Sequence, residues 1–160
     1  MNIAVTVMTT LLITVIVLSA AACRRQPAMS TAHFVHLPSV GWMASAPLSF
    51  SPEYSDSTAA YDLLLAVRHT SAYRYSNLAL VVDFMADDAS IHRKTIDLKL
   101  ADQYGNWTGG GFGALYQATV PLASGLSPSR ARKVMVWQSM AGCDTLQGLV
   151  DVGIITHPVY

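Results

Sequence analysis

The side chains in this 160-residue chain that could move protons or hold a metal are few. They are His33, His36, His69, His92 and His157, with Asp62, Asp83, Asp97 and Asp151 among the acids. A zinc centre needs three or four convergent ligands. His33 and His36 have no cysteine or acid beside them, so no metal site is expected. A glycosidase-type carboxylate pair is conceivable among the four aspartates, because distant strands can bring acids together. Each of them, however, falls opposite apolar neighbours in a strand pattern, as on a solvated sheet face. The chain has no Gly-x-Ser-x-Gly elbow, no phosphate-binding Gly-x-x-x-x-Gly-Lys and no His-Glu-x-x-His. No catalytic residue and no cofactor is therefore expected. The two cysteines are Cys23 and Cys143, and Cys143 reads as a small buried hydrophobe rather than a nucleophile.

The elements that must position these groups show period-two patterning. Tyr61, Leu63, Leu65, Val67 and His69 alternate with Asp62, Leu64, Ala66 and Arg68. Leu78, Leu80, Val82 and Phe84 form a second set, and Ile96, Leu98 and Leu100 a third. Further strands are expected over 116–122, 134–140 and 149–156. Turn chemistry separates them at Ala86–Ser90, Asp102–Asn106 and Ser124–Ser129. A helical turn near Gly111–Leu115 is the only helix expected after the leader. About seven short strands in succession indicate an all-β fold, an antiparallel β-sandwich of immunoglobulin-like or jelly-roll-like type.

Composition sharpens the class. Apolar residues make up 52% and charged residues 12%, so the chain has ample surface to bury and disorder is excluded as its main state. Basic and acidic residues number 10 each, and this balance gives no reason to expect a nucleic-acid partner. The apolar excess is concentrated at the start. Residues 1–23 contain no charged side chain and no histidine, and Leu11–Leu18 is a dense apolar block. It ends in Ser19-Ala20-Ala21-Ala22-Cys23, followed by Arg24-Arg25, the arrangement of a bacterial lipobox. Ala20 stands where leucine is usual, and a plain membrane-spanning anchor or a simple secretory leader are the alternatives. The expectation is a cleaved lipoprotein signal peptide over 1–22, lipidation at Cys23, an acylated tether over 23–46 and a sandwich domain over 47–160. One edge strand near Phe34–Leu37 is allowed within the tether. Three acyl chains would hold such a protein firmly on a membrane.

Two stretches stand out as contact surfaces. Asn106-Trp107-Thr108-Gly109-Gly110-Gly111-Phe112-Gly113 supplies a backbone free to turn sharply between aromatics. Trp42, Trp107, Tyr104, Tyr73 and Tyr75 count as loop aromatics suited to a protein interface or to sugar stacking. Arg68, His69, Tyr73, Tyr75, Asn77 and Trp107 are the candidate partner-binding residues, with internal loop hydrogen bonding as the competing role for Thr70, Ser76 and Asn77.

Three segments together resemble a known family. They are Leu63–Leu78 with its Arg68-His69-Thr70 and Tyr73-Arg74-Tyr75-Ser76-Asn77-Leu78, Leu100–Tyr116 with its glycines, and Gln138–Ile154 with Gly148-Leu149-Val150-Asp151-Val152-Gly153. The chain is similar, from about Trp42 to Ile155 and in its leader, to the gliding-motility lipoprotein GldH family of Bacteroidetes. The resemblance implies a non-enzymatic cell-envelope lipoprotein, an accessory or assembly component of the gliding and type IX secretion machinery, with protein partners there and a membrane reached through its lipid. Related members occur in bacteria that do not glide, so motility itself is not implied. Arg24-Arg25-Gln26 lacks the acidic cluster of a surface-export signal, which favours a periplasm-facing outer-membrane anchor. The alternative function is a carbohydrate- or peptidoglycan-binding sandwich, with a glycan as ligand.

Overall fold

The computed structural model describes residues 29–159. The leader read over 1–22 and the lipidation site at Cys23 lie outside the described residues. Alternation of apolar and polar residues builds the main strands, and each buries its apolar face between two antiparallel sheets.

The five-stranded sheet contains β1 (Thr31–His36), β4 (Ala60–Thr70), β7 (Gly110–Phe112), β8 (Leu115–Leu126) and β11 (Leu149–Val159), in the order β1-β11-β4-β8-β7. The four-stranded sheet contains β3 (Leu48–Phe50), β5 (Asn77–Met85), β6 (Ile91–Lys99) and β9 (Lys133–Gln138), in the order β3-β9-β5-β6. A two-stranded ribbon of β2 (Trp42–Met43) and β10 (Thr145–Leu146) closes one end. Every pairing is antiparallel. The core lies where Tyr61, Leu63, Leu65, Val67, Val152 and Ile154 of one sheet meet Leu78, Leu80, Val82, Val134, Val136 and Ile96 of the other. This is the antiparallel β-sandwich that the alternation predicts.

Three local expectations change. Thr31–His36, within the predicted tether, pairs in register with all of Asp151–Thr156 and is an integral edge strand. Its mixed exposure carries no clean alternation to read. Trp42, taken from sequence as an exposed loop aromatic, is 2% exposed and donates its indole N–H to Ala46 O at 2.7 Å. Gly111–Leu115 forms a hairpin rather than a helical turn. Gly113 there takes φ +66, and a Cβ on Gly111 would lie 2.2 Å from Leu115 O, so the strands approach only because glycine is present.

The sandwich has two unlike ends. The tether end gathers the start of β1, the end of β11, the Ser51–Ser57 segment, the Ala86–Ser90 turn and the loop after β8. The loop end gathers the β2–β10 ribbon, Ser71–Ser76, Leu100–Trp107 and Ala141–Gly148. Among the described residues no helix is long and apolar enough to cross a membrane.

Candidate functional site

The six residues singled out by sequence do not share one surface: His69 and Tyr73 are buried with Trp107 half-buried beside them, and Arg68, Tyr75 and Asn77 lie in three other places. Arg68 and His69 are adjacent on β4 and diverge. His69 turns inward and is completely buried. Its ring packs against Trp107 at 4.6 Å, Tyr116 at 5.5 Å and Tyr73 at 5.9 Å between centroids. Nδ1 lies 3.1 Å from Thr70 O, a pure acceptor, so Nδ1 carries the proton and donates it there. Nε2 is thereby an acceptor, and it is the one buried side-chain nitrogen or oxygen without a partner among the described residues. Burial holds the imidazole below its ordinary pKa and the hydrogen bond to Thr70 opposes this only in part, so His69 is neutral at pH 7.

Tyr73 is also inside, 2% exposed, with its hydroxyl donating to Asn77 O at 2.9 Å and its N–H to Thr70 O at 3.2 Å. Burial pushes its phenol well above the ordinary range. Gly148 packs directly on the Tyr73 backbone: a Cβ there would sit 2.3 Å from Tyr73 N, and its φ is +85. His69, Tyr73, Trp107 and Tyr116 thus form an internal aromatic plug at the loop end. His69 and Tyr73 present no surface to a partner; they position what lies outside them.

Arg68 points to the outer face of the five-stranded sheet. Its guanidinium lies 3.9 Å above the Phe34 ring, its Nε donates to Gln117 Oε1 at 2.9 Å, and Nη1 approaches Asp151 Oδ2 at 3.5 Å. Asp151 is shared with His36, whose Nδ1 lies 2.9 Å from Oδ1. Phe34 covers Gly153, where even a Cβ would meet its ring at 2.5 Å. Arg68 therefore clamps β1 onto β11 and β4 across the sheet. Asn77 sits at the start of β5 and donates from its amide to Asp97 on β6.

The four aspartates remain apart. Asp62 and Asp151 lie on the outer face of the five-stranded sheet, and Asp83 and Asp97 on that of the other. Asp62 accepts from Gly125 N at 2.9 Å. Asp83 receives Arg93 Nε and Nη2, both at 2.7 Å, and this pair holds its carboxyl below the usual range. The convergence that hydrolysis would require does not occur between them.

At the surface of the loop end stands Tyr75, 40% exposed. Tyr75 packs its ring on Tyr73 at 5.6 Å. With Arg74, Cys143, Thr145 and Gln147 it lines a shallow recess of about 120 Å³. A hydrogen bond with Cys143 is the first cause that raises the Tyr75 phenol above its ordinary value. Cys143 itself donates to Thr145 O at 3.3 Å. Thr145 pairs with Met43, which is 52% exposed, and Val40 in the preceding turn is 70% exposed. Gly41 holds that turn against Leu146 with φ +110. Exposed Met43 on the β2–β10 ribbon, Val40 in the turn before it and Tyr75 beside Thr145 therefore give this end an apolar strip. Tyr104, 80% exposed, extends from the Asp102–Asn106 turn at the same end. Asp102 closes that turn by accepting the N–H groups of Tyr104 at 2.8 Å and Asn106 at 2.9 Å.

A sequence profile of the family described as GldH lipoprotein matches residues 29–155. A curated relative named gliding motility lipoprotein GldH homolog, from Christiangramia forsetii (strain DSM 17595 / CGMCC 1.15422 / KT0803), is 28% identical over 120 residues, which cover 70% of this chain and 74% of the relative. Among solved structures, a nora virus structure is 12% identical with a TM-score of 0.32, covering 82% of this chain and 55% of the viral one. The infectious bursal disease virus VP2 subviral particle is 12% identical with a TM-score of 0.30, covering 84% and 33%. The chain spans only about half and a third of those viral proteins, and likeness at that level bears on neither origin nor activity. The matched family segment begins just before β1, so the edge strand read from sequence as tether belongs to the shared domain. The chain belongs to the GldH lipoprotein family.

Proposed function

We propose that this gliding-associated lipoprotein is a non-enzymatic component of the envelope machinery for gliding and type IX secretion, lipid-anchored through Cys23 and docking a protein partner through its loop end. The observation that carries this reading is the placement of exposed apolar side chains. Met43 stands on a ribbon whose companion residues Trp42 and Leu146 are buried, and Val40 stands in the turn just before it, which Gly41 N closes on Pro38 O at 2.9 Å. Exposed apolar and aromatic residues on a rigid support are what a protein interface uses. The family and the relative's name support a gliding-associated lipoprotein; the secretion role and the outer-membrane, periplasm-facing position are the further steps. For the alternative, glycan binding, Trp42 and Tyr73 are buried and cannot stack a sugar, which leaves Tyr75, Tyr104 and half-buried Trp107 as its aromatics.

The experiment is deletion of the gene in its host, with type IX cargo measured in medium and periplasm. Cargo retained in the periplasm supports the proposal. Normal secretion together with normal envelope assembly contradicts it.

A further inference from the structure

The tether end breaks the pattern that organises the rest of the sandwich. On β6, Ile96 and Leu98 point inward and are buried. Strand periodicity assigns the same face to Lys94 and His92. An inward-facing strand position normally calls for an apolar residue, and departures from it mark function or strain. Here the two basic side chains line a cleft of about 460 Å³ between β6 and the end of β8. Phe84, Leu122 and Leu126 form its apolar wall, and Arg130 stands on the far side. No acid lines this cleft, and Asp88, in the adjoining recess that shares Phe84, His92 and Arg130, is the acid whose charge reaches Arg130. Lys94 Nζ reaches across to donate to Leu122 O at 2.8 Å and to Pro121 O at 3.4 Å, which leaves one of its three donors. Beyond it, toward the Ala86–Ser90 turn, Asp87 is paired with Arg132 at 2.7 Å, and Asp88 accepts the N–H of Ser90 at 2.9 Å.

The cleft also lies where the chain leaves for its lipid. Met29 N donates to Ser55 Oγ at 2.9 Å, and Ser55 Oγ lies 3.3 Å from the Tyr61 hydroxyl. Tyr61 is the register partner of Leu126 in the cleft wall. Tyr54 donates to Ala131 O at 2.9 Å, immediately beyond Arg130. Five residues separate Met29 from Cys23, a reach of at most about 22 Å even when fully extended. An anchored Cys23 therefore keeps this end near the bilayer.

We infer that the His92–Lys94–Arg130 cleft faces the anchoring bilayer and takes an anionic phospholipid, its phosphate on Lys94 and Arg130 and the start of its acyl chains against Phe84, Leu122 and Leu126. This inference rests on the lipid anchor of the proposed function. It orients the molecule: the tether end meets lipid, and the Val40–Met43–Tyr75 strip points away from it.

The test uses the full acylated chain in a Cys143→Ser background, reconstituted in phosphatidylcholine vesicles with and without phosphatidylglycerol. A bimane label is placed at Ser129→Cys, next to Arg130 at the edge of the cleft, or at Gln147→Cys on the loop end, and a lipid with a nitroxide headgroup is the quencher. The expected result is strong quenching at 129 that increases with phosphatidylglycerol, and little at 147. Raising salt to 1 M, where the Debye length is about 3 Å, should return the 129 signal to its neutral-lipid level. Arg130→Gln alone, or Lys94→Gln with it, should abolish the dependence on phosphatidylglycerol; Lys94→Arg should retain it. Equal quenching at both labels, or a 129 signal indifferent to lipid charge and to these substitutions, overturns the cleft assignment while leaving the anchor intact. Protein that fails to float with either vesicle overturns the anchor and the inference together.

Discussion

Replacing His69 with phenylalanine isolates what a neutral histidine with an orphaned nitrogen contributes inside the aromatic plug. In the wild type, Nδ1 donates to Thr70 O while Nε2 has no partner. An unsatisfied buried acceptor costs about 1–3 kcal/mol, and a typical hydrogen bond contributes about 1 kcal/mol net. Thr70 O keeps the Tyr73 N–H at 3.2 Å after the substitution, so no new orphan is created. The two terms nearly offset, and His69→Phe should lie within about 1.5 kcal/mol of wild type at pH 7.5, including the strain of a slightly larger ring. The difference appears on acidification. His69 is held below its ordinary pKa chiefly by burial, so the unfolded chain binds the proton first as pH falls. Stability therefore declines from just above the unfolded value of about 6.5 down to the folded value, with a slope of at most about 1.4 kcal/mol per pH unit for one proton. At the steepest, this lowers Tm by about 4–6 °C per unit. Thermal melts of wild type and His69→Phe between pH 7.5 and 5 measure it. The surface histidines are common to both proteins and cancel in the difference. Parallel pH dependence in the two would refute the reasoning.

Further expectations follow from the same geometry. Gly148→Ala should destabilise by about 2–5 kcal/mol, since its φ of +85 penalises a side chain and the new Cβ meets the Tyr73 backbone at 2.3 Å; urea unfolding checks this. Trp42→Ala should cost about 3–5 kcal/mol and lower Tm by well over 6 °C, because the indole is core, whereas an exposed stacking platform would lose almost nothing. Tyr54 has its phenol pushed up to about 12, mainly by burial, so stability should fall as pH rises from about 10 towards 12, because the unfolded chain loses that proton first. Tyr54→Phe should flatten that alkaline decline, while at neutral pH it loses about 1 kcal/mol with the bond to Ala131 O, as denaturation at pH 8 and pH 11 would show.

The strands with one face in the core were legible because their alternation is strict. Tyr61 through His69 and Leu78 through Phe84 read directly as strands and have the expected inward faces. β1 was legible only as a short edge strand near Phe34–Leu37: it has both faces partly exposed, lies between Pro27 and Pro38, and its burial comes from Phe34 crossing Gly153 beneath Arg68. The β2–β10 ribbon is two residues on each side, too short for any period, so Trp42 resembled a loop aromatic and Met43 attracted no attention. Arg68 and His69 were singled out together as one motif, and only the pleat shows that they serve opposite faces. The inward parity of Lys94 and His92 was already present in the Ile96–Leu98 phase, but it acquires meaning only beside Leu122, Leu126 and Arg130, which are distant in sequence.

The central claim is that the loop end docks a partner needed for envelope function. Its most direct test is complementation of a deletion strain with Val40→Asp and Met43→Asp combined. Both side chains are exposed, at 70% and 52%, so the change should leave folding and envelope levels intact. The account predicts wild-type amounts of membrane-associated protein together with loss of type IX cargo secretion. Full restoration of secretion by this variant at equal protein level would contradict it.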